Sequence, residues 1–240
     1  MALFPILLII AIFSYLLGSI PFALVFNKLI FKQDPRQTGS KNLGALNTLR
    51  ISTEKKGKII GALSFLIVFL LDAGKGVIAV FFAQKLALAT ITNPLLLGPE
   101  GTSVIILVAS MVAALLSVVG HNYSLYLKFK GGRGAATLFG ITLFLNCQLA
   151  WLWAGIVLLV IIIGEILAGH KFNKKLIPQA INNQILGRLI GEILGLGLIY
   201  FLNPYIFAIV CLPLLPVLLA HSDRLEEQMK KIKAKNYLAK

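Results

Sequence analysis

Lys128, Lys130 and Arg133 alternate with Gly131, Gly132 and Gly134 inside the stretch GHNYSLYLKFKGGRGAAT, which runs from Gly120 to Thr137 between two apolar segments. These residue types at this spacing suit anion binding. Glycines carry no Cβ, so successive backbone N–H groups at 131, 132 and 134 can converge on one oxyanion. A helix that starts at about Gly134 would turn the positive end of its dipole to the same point. A phosphate is the ligand such a loop predicts. The same cations also fit an ordinary turn on the cytosolic side of a membrane, where Lys and Arg accumulate.

A second stretch, TGSKNLGALNTLR from Thr38 to Arg50, interleaves small residues with amides, hydroxyls and leucines. Ser40, Asn42, Asn47 and Arg50 are expected to converge on a polar ligand while Leu43, Leu46 and Leu49 hold the loop against the bilayer. Asn-rich turns serve purely structural ends as well. A third candidate is His221, with Arg224, at the start of the basic tail. Asp72 and Lys75, in LLDAGKG, fall within an apolar run at i, i+3, which puts them on one helix face and predicts a pair.

Other chemistries find little support. Nine acidic residues with no Asp/Glu cluster make a poor carboxylate-held two-metal site, and three scattered histidines make a poor zinc site. His221, Ser222 and Asp223 are chain neighbours, which cannot easily align nucleophile, base and orienter. Cys147 and Cys211 show no C-x-x-C spacing and are expected to be packing residues. No metal and no cofactor is predicted.

The elements that must position these residues are helices in a membrane. With 58% hydrophobic and only 13% charged residues, the chain has too few polar side chains to coat a water-soluble globule. The net charge of +14 gathers in a few inter-span segments, suited to anionic headgroups and substrates, and no region remains to read nucleic acid. Met1 to Asn27 carries no charge and predicts a span rather than a cleaved signal, weakened at Gly18, Ser19, Ile20 and Pro21. Further spans are expected over about Ile59 to Ala83 and Ser103 to Val119. The stretch 135–169 should hold two, interrupted at Asn146, Cys147 and Gln148, and the last two run over about Leu186 to Leu202 and Tyr205 to Leu219. The fold class is therefore all-α, a polytopic integral membrane protein of about seven transmembrane helices, N-terminus out and C-terminus in. Residues 1–240 form one domain, with cytosolic motif loops near 32–58, 121–134 and 170–186 and a tail over 221–240. All candidate chemistry then falls on the cytosolic face of the cell membrane.

GSIPFALVFNKL, GSKNLGALNTLR, LLDAGKG and GHNYSLYLKFKGGRGAAT occur in that order, and in this the sequence resembles the integral-membrane acyl-phosphate:glycerol-3-phosphate acyltransferases, the PlsY family. The resemblance implies transfer of an acyl group from acyl phosphate to the 1-hydroxyl of glycerol 3-phosphate, without metal or covalent acyl-enzyme. It also makes an acyl-phosphate-producing enzyme the candidate protein partner. It assigns the substrate-binding serine and arginine to Ser40 and Arg50, and the phosphate loop to Gly131, Gly132 and Gly134. Arg133 stands where the family has lysine. Of the family's Arg-His-x-x-Asn only His221 survives, with Ala220 and Arg224 at the other two positions. Lys41 replaces a glycine, and a serine expected between the fifth and sixth spans has no counterpart in HKFNKKLIPQ. These departures leave open a member with an altered acceptor or no catalysis, and an organic-phosphate binding or transport protein.

Overall fold

The structure is a computed structural model that describes residues 3–90, 94–167, 185–222 and 225–226, with the backbone alone for 94–99. Arg224, most of the 170–186 loop and most of the tail lie outside the described residues.

Every regular element described is helical. In chain order they are α1 (Leu3–Ser19), α2 (Phe22–Phe26), α3 (Ala45–Lys56), α4 (Lys58–Thr90), α5 (Pro94–Asn122), α6 (Ala135–Leu145), α7 (Cys147–Leu167), α8 (Ile185–Leu202) and α9 (Pro204–Leu219). A π-helical turn over Asn27–Phe31 extends α2, and a short 3₁₀ turn covers Leu125–Leu127. Five helical stretches are long and apolar enough to cross a membrane: Leu3–Phe31, Lys58–Thr90, Glu100–Leu127, Cys147–Leu167 and Ile185–Leu202. α6 and α9 are apolar but shorter, roughly 16 and 24 Å at the helical rise. The expected break in the 135–169 stretch falls at Asn146, whose side-chain oxygen accepts the backbone N–H of Leu149 and so caps α7.

α4 and α5 form the centre. α1 packs on both, α3 and α6 lie along α4, α7 pairs with α8, and α9 joins α8 to α5. Alanines make the central seam: Ala79, Ala83, Ala87, Ala109, Ala113 and Ala114 are almost fully buried. In lipid there is little hydrophobic drive between helices, so small residues that admit close backbone approach carry the packing. A Cβ on Gly18 would collide with the backbone of Ser117, and one on Gly140 with that of Ala73.

The predicted weakness before Pro21 ends α1 at Ser19, and the carbonyls it releases are put to use. Ile20 O accepts Lys75 Nζ at 3.2 Å, and Ser19 O accepts Ser124 Oγ at 2.5 Å. The broken end of α1 thereby anchors both α4 and the loop that follows α5. Two expectations need correction. Leu43 is buried inside the protein rather than laid against lipid, and Cys147 is exposed at the start of α7, where it packs against little.

Candidate active site

The loop between the π-turn and α3 is organised by Asn47. Its Oδ1 accepts the backbone N–H of Ser40 at 2.8 Å, and its Nδ2 donates to the carbonyls of Pro35 and Thr38. Gly39, at φ +60°, closes the turn with its Cα against the Asn47 amide. Asn47 is fully buried and its amide is spent on the loop, so it presents Ser40 instead of meeting a ligand itself. Asn27 fixes the other side, donating from Nδ2 to Thr48 Oγ1 at 2.7 Å.

The glycine-rich loop is held differently from the sequence expectation. The N–H groups of Gly131 and Gly132 donate to the carbonyls of Asn122 and His121, each at 2.9 Å, so they fold the loop back on the end of α5 and do not form an anion cradle. Lys130 is exposed and lies off the cavity described below, as do Gly131 and Gly132. Gly134, at φ +76°, caps α6 as expected. The first N–H groups of α6, from Ala135 on, have no acceptor within their own helix and leave a positive dipole end beside Arg133.

Behind this loop lies a buried polar network. Lys75 Nζ meets Asp72 Oδ1 at 3.0 Å, which realises the i, i+3 pair, and His121 Nδ1 approaches the same oxygen at 3.5 Å. Thr137 Oγ1 is also 3.5 Å from His121 Nδ1. His121 Nε2 lies directly against Gly132, where a Cβ would strike it and the Leu43 carbonyl. Asp72 thus sets the ring of His121, and the ring sets the glycine loop. Gly132→Ala is therefore expected to overpack this contact and destabilise the protein by about 1 to 3 kcal/mol, measurable by thermal unfolding of purified protein. Unfolding at the wild-type temperature would show the loop to be looser than this packing implies.

These parts surround one cavity of about 630 Å³. Ser40, Asn42, Arg50, Asp72, His121, Arg133, Gly134 and His221 supply its polar wall. His221 is buried just beyond α9, and its Nδ1 lies 2.8 Å from the Val217 carbonyl. A carbonyl only accepts, so Nδ1 donates and any chemistry at this ring runs through Nε2. The apolar wall includes a row of rings, Phe65, Phe69, Phe139 and Trp151, with successive centroids 5.7, 5.6 and 5.5 Å apart. Trp153, Val157 and Ile161 of α7 continue it. A polar, cationic head joined to an aromatic and aliphatic groove suits an amphiphile with an anionic headgroup.

A sequence model described as glycerol-3-phosphate acyltransferase matches residues 8–231, nearly the whole chain. The chain belongs to the glycerol-3-phosphate acyltransferase family. Curated relatives include glycerol-3-phosphate acyltransferase 2 of Moorella thermoacetica, 38% identical over 65% of this chain and 66% of that protein. Glycerol-3-phosphate acyltransferase 3 of Dehalococcoides mccartyi strain 195 is 42% identical over 64% of this chain and 65% of its own length. The chain thus spans about two thirds of the length of the curated relatives it matches. Among solved structures, it superposes on PlsY, an integral membrane glycerol 3-phosphate acyltransferase, in its glycerol 3-phosphate form. The TM-score is 0.64 at 24% identity, over 94% of this chain and 92% of that one. The lysophosphatidic acid form of PlsY gives a TM-score of 0.63 at 25% identity over the same shares. Five stretches long and apolar enough to cross a membrane, in a fold shared with PlsY, make the chain an integral membrane protein.

Within this family member, sequence reasoning found Ser40, Asn42, Arg50, Arg133, Gly134 and His221, which the fold brings to one cavity. It missed His121 as the support of the glycine loop. The one signal was a histidine placed where an apolar helix gives way to the basic turn. It also missed Arg188 and Glu192 of α8, which line the same cavity from the opposite wall.

Proposed function

We propose that this chain moves a fatty acyl group from acyl phosphate to the 1-hydroxyl of glycerol 3-phosphate, releasing lysophosphatidic acid and inorganic phosphate for phospholipid synthesis. The observation that carries this reading is the joining of Ser40, Arg50, Arg133 and His221 to an aromatic groove in one cavity. The names of the relatives and the ligands of the two PlsY forms agree with it. Acyl phosphate is already an activated mixed anhydride. The glycerol oxygen attacks the acyl carbonyl carbon, the bond from that carbon to the phosphate oxygen breaks, and the departing phosphate takes the hydroxyl proton. The protein's part is to hold two mutually repelling phosphates close together, with Arg50 and Arg133 offsetting their charge. Orientation alone supplies roughly 7 to 11 kcal/mol in favourable cases. Ser40 and Asn42 are assigned to acceptor hydroxyls, and His221 Nε2 to the acceptor or its phosphate. Lys130, Gly131 and Gly132 support the loop from behind, and Arg224 would add a cation from the tail.

The test is direct. Purified protein in detergent, given acyl phosphate and glycerol 3-phosphate without added metal, should release phosphate and lysophosphatidic acid in equal amounts. Turnover should survive EDTA, because the transfer as written needs no metal. Acyl-CoA should not serve, because no His-x-x-x-x-Asp pattern is present: Tyr126 follows His121 and Glu226 follows His221 at that spacing. Brisk acyl-CoA turnover would overturn the assignment of donor.

The orientation we assign is seven crossings of the cell membrane, N-terminus out and C-terminus in, with the cavity on the cytosolic face. It rests on the concentration of cations in the motif loops. Cysteines placed at Lys41 and Lys130 should be shielded from a membrane-impermeant thiol reagent applied to intact cells, and one at Asn203 should react. Labelling of position 130 from outside would invert the arrangement. An enzyme that makes acyl phosphate is the protein partner this reading calls for, since the donor hydrolyses in water.

A further inference from the structure

The α7–α8 wall of the cavity is apolar except at two positions one helical turn apart, Arg188 and Glu192. Ionisable side chains within apolar helices are costly and mark function more often than packing. Glu192 is more than nine-tenths buried, and its Oε2 is fully enclosed with no hydrogen-bond partner. Its backbone carbonyl is spoken for, accepting Trp153 Nε1 at 3.2 Å. Trp153 also presses on Gly195 and Val157 on Gly191, so α7 and α8 hold Glu192 in a fixed register against the groove. A buried carboxylate oxygen without a donor is unfavourable by itself and calls for one from the ligand.

The neighbouring charges narrow the ligand. Arg188 acts on Glu192 electrostatically from position i−4. One carboxylate beside one guanidinium leaves no net attraction for a further anion, which sets this end apart from the phosphate wall. The guanidinium disfavours a cation. What fits is a neutral group that both donates and accepts, and a hydroxyl does so: it donates to Glu192 Oε2 and accepts from one of the five N–H groups that arginine carries. The surrounding Trp153, Val157, Leu158 and Ile161 are hydrocarbon-binding surface, so the hydroxyl belongs to a chain lying in the groove.

We propose that Glu192, with Arg188, forms a hydroxyl-recognising subsite that selects an acyl donor hydroxylated on its chain. The inference rests on the acyl-phosphate reading above and sharpens it to a donor class. A second hydroxyl source, the C2 hydroxyl of the acceptor, shares the same chemistry and is separated by experiment.

The experiment compares palmitoyl phosphate with its positional hydroxy isomers as donors to purified protein, with glycerol 3-phosphate as acceptor. At least one isomer is expected to exceed palmitoyl phosphate in kcat/KM by about tenfold, because a site built around a buried polar group rejects the analogue that leaves it unpaired. In Glu192→Leu the ratio should fall to about one, and in Glu192→Gln, which keeps size and one acceptor, it should lie between. The Gln variant guards against misfolding of the Leu variant. Because Trp151 and Trp153 are the only tryptophans of the chain and both line the cavity, intrinsic fluorescence gives a second readout without turnover. Hydroxyacyl phosphonates should bind more tightly than plain ones, and Glu192→Leu should erase the difference. If wild-type protein turns over neither donor, the proposed function fails while this binding comparison still decides the subsite. Equal use and equal binding of plain and hydroxylated chains would overturn the proposal. So would a Glu192→Leu effect confined to discrimination between glycerol 3-phosphate and its 2-deoxy analogue, which would move the hydroxyl to the acceptor.

Discussion

Asp72→Ala is expected to destabilise the protein by about 3 to 5 kcal/mol, the cost typical of removing one partner from a buried ion pair. Lys75 is almost wholly enclosed, its ammonium held at 3.0 Å by Asp72 and at 3.2 Å by the Ile20 carbonyl, with the Phe22 ring 5.7 Å away. Without the carboxylate one carbonyl and one ring face would have to hold a full charge in an apolar setting. The same substitution frees the ring of His121 and with it the support behind Gly132. Activity should therefore fall more steeply with temperature than in wild type. Thermal unfolding in detergent measures the first effect, and turnover at several temperatures the second. Replacing both partners, Asp72→Leu with Lys75→Met, should recover most of the stability but not the loop geometry, since no charge is then left uncompensated. Wild-type stability in Asp72→Ala alone would mean that water reaches this pair.

Removing both arginines of the proposed phosphate wall, Arg50→Ala with Arg133→Ala, should leave the fold standing and abolish turnover. Each charge-assisted contact is worth roughly 1.5 to 3 kcal/mol, so each single variant should lose about ten- to a hundredfold in kcat/KM. The two losses need not add, because both residues line one cavity. Arg133→Lys restores the charge as a compact ammonium and should cost little, whereas Arg50→Lys loses the planar fork. This pair separates a phosphate site from a merely basic turn better than Gly132→Ala does, because Gly132 packs against His121 and Leu43 whether or not phosphate binds. Single variants within twofold of wild type, in protein that unfolds at the normal temperature, would sink the phosphate reading.

Composition and local pattern determined the class of the molecule, its long apolar helices and the breaks between them, but not α3, a helix within the 32–58 stretch expected to be a loop. Apolar runs of membrane length can only be helical in lipid, and Gly18 to Pro21 and Asn146 interrupt them because proline and capping chemistry act within a few residues. The pairing of Asp72 with Lys75 was equally legible, since i, i+3 spacing is a property of one helix. Most of the polar wall was legible as well, because Ser40, Arg50, Arg133 and His221 stand in polar stretches between apolar runs. Only the tertiary structure decided how those residues divide the work. Asn47 and the N–H groups of Gly131 and Gly132 look like ligand donors in the sequence, yet they are consumed by the carbonyls of Pro35, Thr38, Asn122 and His121. Whether a donor is spent depends on which backbone comes alongside it, and that is fixed by packing between segments far apart in the chain. The opposite wall was invisible for the same reason. Arg188 and Glu192 sit in an apolar helix, and nothing near them in the chain says that α7 packs on α6 and α8 on α7 and α9 to put them on the cavity. Long-range packing makes that choice, through contacts such as Gly191 on Val157 and Gly195 on Trp153 that no single helix encodes.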